Sequence, residues 1–224
     1  MNIEEPLVIA VDGPAASGKG TLARALAKAL GIAYLDTGAL YRAVALMVRR
    51  SGGDPAVEAD GMAAAHALAE GGHEDIFSDP ELRSEENGQG ASKVSALPGV
   101  RAALLELQRQ FARRMPGAVL DGRDIGTHVC PDARVKLFVT AKPEIRAKRR
   151  FKELQDRGDA VMFPAVLADI ESRDARDSQR AAAPLKPADD AVLLDTSELG
   201  IDQVLDTALA IVRERLSSGG AAAS

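Results

Sequence analysis

The sequence predicts a doubly wound α/β fold, a five-stranded parallel sheet flanked by helices. Two observations carry this. Five short apolar runs, most of them β-branched at the centre, alternate with segments of helical period, and each run ends at or near a polar residue or a glycine. Aromatic residues make up only 3% of the chain and alanine dominates its apolar content, which suits close-packed helices better than an aromatic-rich β-sandwich. At 224 residues, against roughly 150 per domain, the chain is one large domain carrying smaller inserts.

The elements follow in order. Leu7–Val11 is a continuous apolar run that reads as a strand buried on both faces, and Gly13-Pro14 ends it. From Lys19 to Leu30 the apolar residues Leu22, Ala25, Leu26, Ala29 and Leu30 stand at helical spacing, and Gly31 supplies the stop. Ile32–Leu35 is the second strand and Ala39–Arg50 the second helix, broken by Gly52-Gly53-Asp54-Pro55. Met62, Ala65, His66 and Ala69 keep a helical period up to Gly71-Gly72. The polar stretch from Ser78 to Gly90 has none and reads as part of a mobile insert on the rim of the core. Val100–Arg114 is a helix. Ala118–Asp121 and Val135–Val139 are strands, Ile145–Arg157 and Pro164 to about Arg180 helices. Ala191–Asp195 is the last strand, Ile201–Leu216 an amphipathic closing helix, and Ser217–Ser224 a frayed tail.

Charge and cysteine content exclude several classes. Lys and Arg number 28 against 33 Asp and Glu, a net −5, where a general nucleic-acid binder is usually basic. Cys130 is the only cysteine, so an intrachain disulfide, a cysteine-based zinc site and an iron–sulfur cluster are all excluded. No apolar run reaches the roughly 18 residues of a membrane span. Met1-Asn2-Ile3-Glu4-Glu5 is acidic, unlike the start of a signal peptide, and the expected location is the cytoplasm.

The strongest local signal is Gly13-Pro14-Ala15-Ala16-Ser17-Gly18-Lys19-Gly20-Thr21, lying between a buried strand and a helix. Small residues let successive backbone N–H groups point at an anion, and the helix N-terminus adds partial positive charge. Lys19 brings a mobile charge for β- and γ-phosphates, and Thr21 a hydroxyl near the phosphates and a magnesium shell. Gly20 stands where the common pattern places Ser or Thr directly after Lys.

Two further strand ends should share the crevice with this loop. Leu35 to Arg42 leaves one strand and Asp121 to Gly126 another, and each brings an arginine whose fork suits a phosphate dianion. Later, Arg173, Arg176, Asp177 and Arg180 stand on one helical face. Residues 142–187 carry 11 Lys or Arg against 8 Asp or Glu, so this stretch is basic in an acidic protein. A lid that closes on polyphosphate has this character.

Taken together, these segments resemble the bacterial cytidylate kinases, of the nucleoside monophosphate kinase group of P-loop NTPases. The resemblance runs from Ile9 to about Arg213. It rests on the phosphate loop with its Gly-Lys-Gly-Thr ending, Leu35 to Arg42, Ala91-Ser92-Lys93-Val94-Ser95, Val100-Arg101, Asp121 to Gly126, and Arg173 through Leu185. It implies a P-loop core spanning residues 1–224, with a short acceptor-binding insert at 52–91 and a helical lid at 151–172. It implies transfer of the γ-phosphoryl group of ATP to CMP or dCMP, with Mg2+ accompanying ATP and with Lys19, Arg123 and Arg173 in catalysis. Arg42, Arg123 and Arg173 would hold the cytidylate phosphate, and Thr37 would line the same site. Ser92, Arg101 and Asp124 would face the cytosine, while Asp177 with Arg180 would reach the sugar. Direct metal ligands are not assigned. Thr21, Asp36 and Asp121 would act through water, and Asp36 and Asp121 serve equally as organisers of neighbouring arginines. Many family members carry a longer insert with extra strands between Met47 and Ser92, so discrimination against uridylate stays open. Nothing in the sequence requires more than a monomer. The competing readings are another small-molecule kinase on the same core, for uridylate, adenylate or shikimate, and a nucleotide-dependent switch.

Overall fold

The computed structural model describes residues 5–218. Most of the predicted frayed tail therefore lies outside the described residues. The sheet has five strands: β1 (Leu7–Asp12), β2 (Ala33–Asp36), β3 (Gly117–Gly122), β4 (Val135–Thr140) and β5 (Val192–Asp195). All pairings are parallel and the spatial order is β2-β3-β1-β4-β5. The central strand is buried on both faces, as its unbroken apolar run requires. Ile9 and Val11 face α1 (Lys19–Leu30) and α8 (Ile201–Ser218), while Ala10 faces α5 (Pro98–Ala112) and the loop after β3. All three are fully buried.

From β1 the chain crosses to β2 on one side, and from β3 it crosses to β4 on the other. The carboxyl ends of β1 and β3 therefore flank the crevice where connections diverge, which is the usual ligand position in such sheets.

A second apolar cluster joins α2 (Thr37–Arg50), α3 (Glu58–Glu70), α4 (Glu85–Val94) and α5. Helix α4 departs from the sequence reading, which expected no regular structure between Ser78 and Gly90. Two short 3₁₀ turns (Glu74–Ser78 and Pro80–Arg83) lead into it, and no strand occurs between residues 47 and 92. Its helical signal is hidden because, Val94 apart, its inward face is built from Asn87, Gly88, Gly90 and Ala91, residues of low propensity or no apolar bulk. They are small because α4 packs tightly on α2: a Cβ at position 90 would stand 3.2 Å from Ala45 Cβ. The readable signal was the cap, since Ser84 Oγ accepts the Asn87 N–H at 3.2 Å ahead of Glu85 and Glu86 in the first turn. The insert bound expected at residue 91 falls inside this helix.

Helices α6 (Pro143–Asp156) and α7 (Phe163–Gln179) form a hairpin with its own small core of Ala147, Leu154, Val166 and Ile170. Phe151 and Phe163 meet edge to face at 5.9 Å beside it, and the cluster leans on Ala15 and Ala16 of the phosphate loop. The expected lid, residues 151–172, covers the facing halves of these two helices.

The loop after β3 is fastened to β1. Asp12 is 5% exposed, and its two carboxylate oxygens accept the Ile125 and Gly126 N–H groups, each at 2.8 Å. The chain there makes a single π turn, Ile125–Val129, closed by Cys130 N–H on Ile125 C=O at 2.7 Å. Replacing Asp12 with Ala strands two buried donors. The expected loss in unfolding free energy is about 2–4 kcal/mol, measured by urea denaturation at pH 7 with the m-value unchanged.

Candidate active site

The phosphate loop leaves β1 through Gly13, whose position is set by close approach. A Cβ there would lie 2.0 Å from the Val139 carbonyl oxygen of β4, so no larger residue fits. Ala16 (φ 57°) and Gly18 (φ 90°) then take left-handed conformations that curl the loop, and α1 starts at Lys19. Ala15 through Thr21 line the cavity above, while Gly13 and Pro14 lie buried beneath it. Ser17 is fully buried and its hydroxyl has no partner.

Lys19 Nζ donates to the Pro14 carbonyl at 3.3 Å across the loop. Burial, reinforced by the Arg123 charge and offset in part by Asp121 and Asp36, lowers its pKa to about 8. Asp121, at the end of β3, shares the cavity with Lys19, Thr21, Tyr34 and Asp36. Burial and the nearby Asp36 raise its carboxyl to about 6. The same carboxylate explains Gly20, since a Cβ there would stand 3.0 Å from Asp121 Oδ2. Asp36 has a second duty. It caps α2 by accepting the Ala39 N–H at 3.0 Å, and it pairs with Arg83 at 3.1 Å.

A second, adjoining cavity opens between the ends of β2 and β3, helix α4 and helix α7. Thr37, Arg42, Ser92, Arg101, Arg123, Asp124, Arg173, Asp177 and Arg180 all line it. Every residue that the sequence assigns to an acceptor is thus gathered in one place. Arg42, Arg123 and Arg173 line both cavities and stand at their junction.

Three groups divide this pocket. Thr37 donates to the Asp121 carbonyl at 2.7 Å and joins the two strand ends. Arg123 Nε donates to Asp177 Oδ2 at 2.7 Å, linking the loop after β3 to α7. Deepest lies a buried triad in which the Asp124 carboxylate accepts from Arg101 Nη2 on one oxygen and from Arg180 Nη2, at 3.0 Å, on the other. All three side chains are below 10% exposed. Arg180 thus pairs with Asp124 while also feeling the charge of Asp177, with which it shares the pocket wall.

The sequence reading gave no role to Tyr41, Arg146 and Arg149, and it placed Arg176 only on the basic face of the lid. Tyr41 lines the acceptor pocket and accepts from Arg101 Nη1 at 3.4 Å. Arg176, on α7, donates to Ser92 Oγ at 3.1 Å and to Gln89 Oε1 at 2.9 Å. Arg146 and Arg149, on α6, donate to the Ala15 and Ser17 carbonyls at 3.2 and 3.3 Å and so brace the phosphate loop. The only available signal was the basic run Arg146 to Arg150, which is readable as an ordinary solvated helix face. Of the three histidines, none lines either cavity.

A family profile described as Cytidylate kinase matches residues 9–214. The chain belongs to the cytidylate kinase family. A curated cytidylate kinase of Paramagnetospirillum magneticum is 56% identical over 208 residues, covering 92% of this chain and 97% of that protein. Another, from Xanthobacter autotrophicus, is 59% identical over 211 residues, covering 93% and 98%. Among solved structures, an uncharacterized protein from Eubacterium ventriosum superposes with a TM-score of 0.54 at 12% identity, over 94% of this chain and 99% of that one. That likeness is one of fold alone.

Lys19 yields a pH dependence. With a pKa near 8 in the free enzyme it loses its charge as pH rises through that value. The kcat/KM for ATP is therefore expected to fall above about pH 8, roughly tenfold per pH unit, while kcat holds to higher pH because bound polyphosphate keeps the lysine protonated. Steady-state kinetics between pH 6.5 and about 9.5 check this.

Proposed function

We propose that this chain is an ATP-dependent cytidylate kinase, converting ATP and CMP or dCMP to ADP and CDP or dCDP. The observation that carries the reading is the junction of Arg42, Arg123 and Arg173 between the phosphate loop and the acceptor pocket, in a chain of this family. The phosphate loop and Lys19 hold the β- and γ-phosphates, and Arg42, Arg123 and Arg173 hold the acceptor phosphate. That dianion is already largely ionised near pH 7, so the site needs no strong general base. This agrees with cavities free of histidine. Lys19 and the arginines neutralise charge as the phosphoryl group passes between oxygens, and aligning the two nucleotides supplies much of the remaining rate.

Thr21, Asp36 and Asp121 present only oxygen donors beside the loop, a set that suits Mg2+ held mainly through water and phosphate. When bound beside Thr21, Asp36 and Asp121, the ion would supply charge neutralisation to the polyphosphate.

The acceptor insert at 52–91 and the lid at 151–172 close over the two nucleotides and exclude water as a rival acceptor. We assign the enzyme to the cytoplasm as a monomer without nucleic-acid or membrane partners. No helix among the described residues is long and apolar enough to cross a membrane.

Base selection falls to Ser92, Arg101 and Asp124. Asp124 accepts from a cytosine amino group, whereas uridylate meets it with a carbonyl. A panel of CMP, dCMP, UMP, AMP and shikimate tests the reading by ADP release. Cytidylates are expected to be the best acceptors, and acceptor-independent hydrolysis alone would instead support a nucleotide switch. Asp124→Asn is expected to lower kcat/KM for CMP more than for UMP and to narrow their ratio by about tenfold. An unchanged ratio removes Asp124 from base reading. Lys19→Ala is expected to lower kcat by at least about 100-fold with the fold intact, read from kinetics alongside circular dichroism.

A further inference from the structure

The junction between the cavities gathers positive charge. Arg42 donates to the Leu82 and Ser84 carbonyls, and burial together with Arg173, Arg150 and Arg83 lowers its pKa to about 10. Gly88 admits two of these groups at once, since a Cβ there would lie 3.2 Å from a guanidinium nitrogen of both Arg42 and Arg173. Into this cluster reaches one carboxylate from the first turn of α4. Glu85 Oε2 accepts from Arg150 Nη2 at 2.5 Å, and Glu85 Oε1 accepts from Arg173 Nη2. Burial works against the ionised form of Glu85, but Arg173 and Arg150 outweigh it and hold the carboxyl below its ordinary range.

The placement is specific. Arg150 stands on α6 and Arg173 on α7, so a single carboxylate on the acceptor side ties both arms of the hairpin. Both arginines line the phosphate-loop cavity. Glu85 lines neither nucleotide cavity. It borders a separate space beneath the hairpin, with Leu154 and Val166. It thus grips each guanidinium at one edge while the arginine stays on the cavity wall. Arg150 keeps a further partner in Glu153 at 2.9 Å and Arg173 one in Asp169 at 2.8 Å, both on the arginine's own helix. For these two arginines Glu85 is the carboxylate that crosses from the insert, where Arg176 also reaches Gln89 and Ser92 and Arg157 the Arg83 carbonyl.

We propose that Glu85 is a positioning residue for phosphoryl transfer: it aims Arg150 and Arg173 at the transferring group and makes their alignment depend on docking of the hairpin against α4. Arg150 then joins the arginines that serve the reaction. The inference rests on the kinase reading above and gives it a coupling between acceptor side and lid. An arginine aimed by two ion pairs acts at fixed geometry, whereas a free one samples rotamers that miss the phosphate.

The test compares Glu85→Gln, which keeps shape and removes charge, with Glu85→Asp, which keeps charge. The Glu85 side chain is 36% exposed, and thermal melts check that both variants fold. In Glu85→Gln, kcat with CMP is expected to fall about tenfold while the KM for ATP moves less than about threefold, and Glu85→Asp recovers a substantial part of the rate. In an Arg150→Met background, Glu85→Gln is expected to cost less than about half, in log units, of what it costs alone. An unchanged kcat in Glu85→Gln, equal defects in the Gln and Asp variants, or full additivity with Arg150→Met overturns the assignment. So does a rise in acceptor-free ATP hydrolysis in Glu85→Gln, because the carboxylate would then restrain the arginines rather than aim them. If the parent protein fails to phosphorylate CMP, the kinase reading itself falls. If the parent is active and the variants behave like it, only the role of Glu85 does.

Discussion

The carboxylate of Asp12, at the end of the central strand, accepts two backbone N–H groups from the loop after β3, and the pocket hangs from that connection. It fixes the π turn at Ile125–Val129, and the turn fixes the residue just before it, Asp124. Asp124 in turn holds Arg101 from α5 and Arg180 from the end of α7. One short chain of charged contacts therefore runs from the middle of the sheet to the far wall of the acceptor pocket. Burial raises the Asp12 carboxyl to about 6, more than its two N–H bonds lower it, so this anchor carries a solvation cost inside the fold. Such costs are tolerated where backbone must be held in one unusual shape.

The arginines obey a related logic. Arg42, Arg123, Arg150 and Arg173 converge because helix α4 offers little side-chain bulk, and each of the last three has a carboxylate partner from a different element or turn. Burial first, and then repulsion from Arg173, Arg150 and Arg83, lowers the Arg42 pKa to about 10. A cluster of this charge is electrostatically complementary to the phosphates that the proposed function brings to it, which favours rate more than raw affinity.

Most of the architecture was legible in the sequence. The continuous apolar runs marked buried strands because a central parallel strand has no solvent face, and the glycine loop was readable because close backbone approach leaves few alternatives to small residues. Arg42 and Arg123 were legible as neighbours once Leu35 to Arg42 and Asp121 to Gly126 were placed at adjacent strand ends, while Arg173, which lines the same cavities, joined them through the family resemblance. Three features were not. Helix α4 is held by contact with α2 and not by its own propensity, so its Asn and Gly residues read as loop. Asp12 looked like the end of a strand, since its partners lie more than a hundred residues away and are backbone groups that no side-chain pattern announces. Glu85 lay in a polar stretch read as a mobile insert and Arg176 on a basic face read as a lid, and only the packing of the hairpin against α4 gives them partners.

The hairpin of α6 and α7 carries an apolar nucleus of its own, while polar contacts make up much of its attachment to α4. A segment built in this way has internal order independent of its docking. For the lid proposed above, closing requires a few long side chains to settle into place, but no loop has to freeze along its length. The entropic toll of each catalytic cycle is then confined to a handful of rotamers and one rigid-body displacement, small enough to be reversed at every turnover.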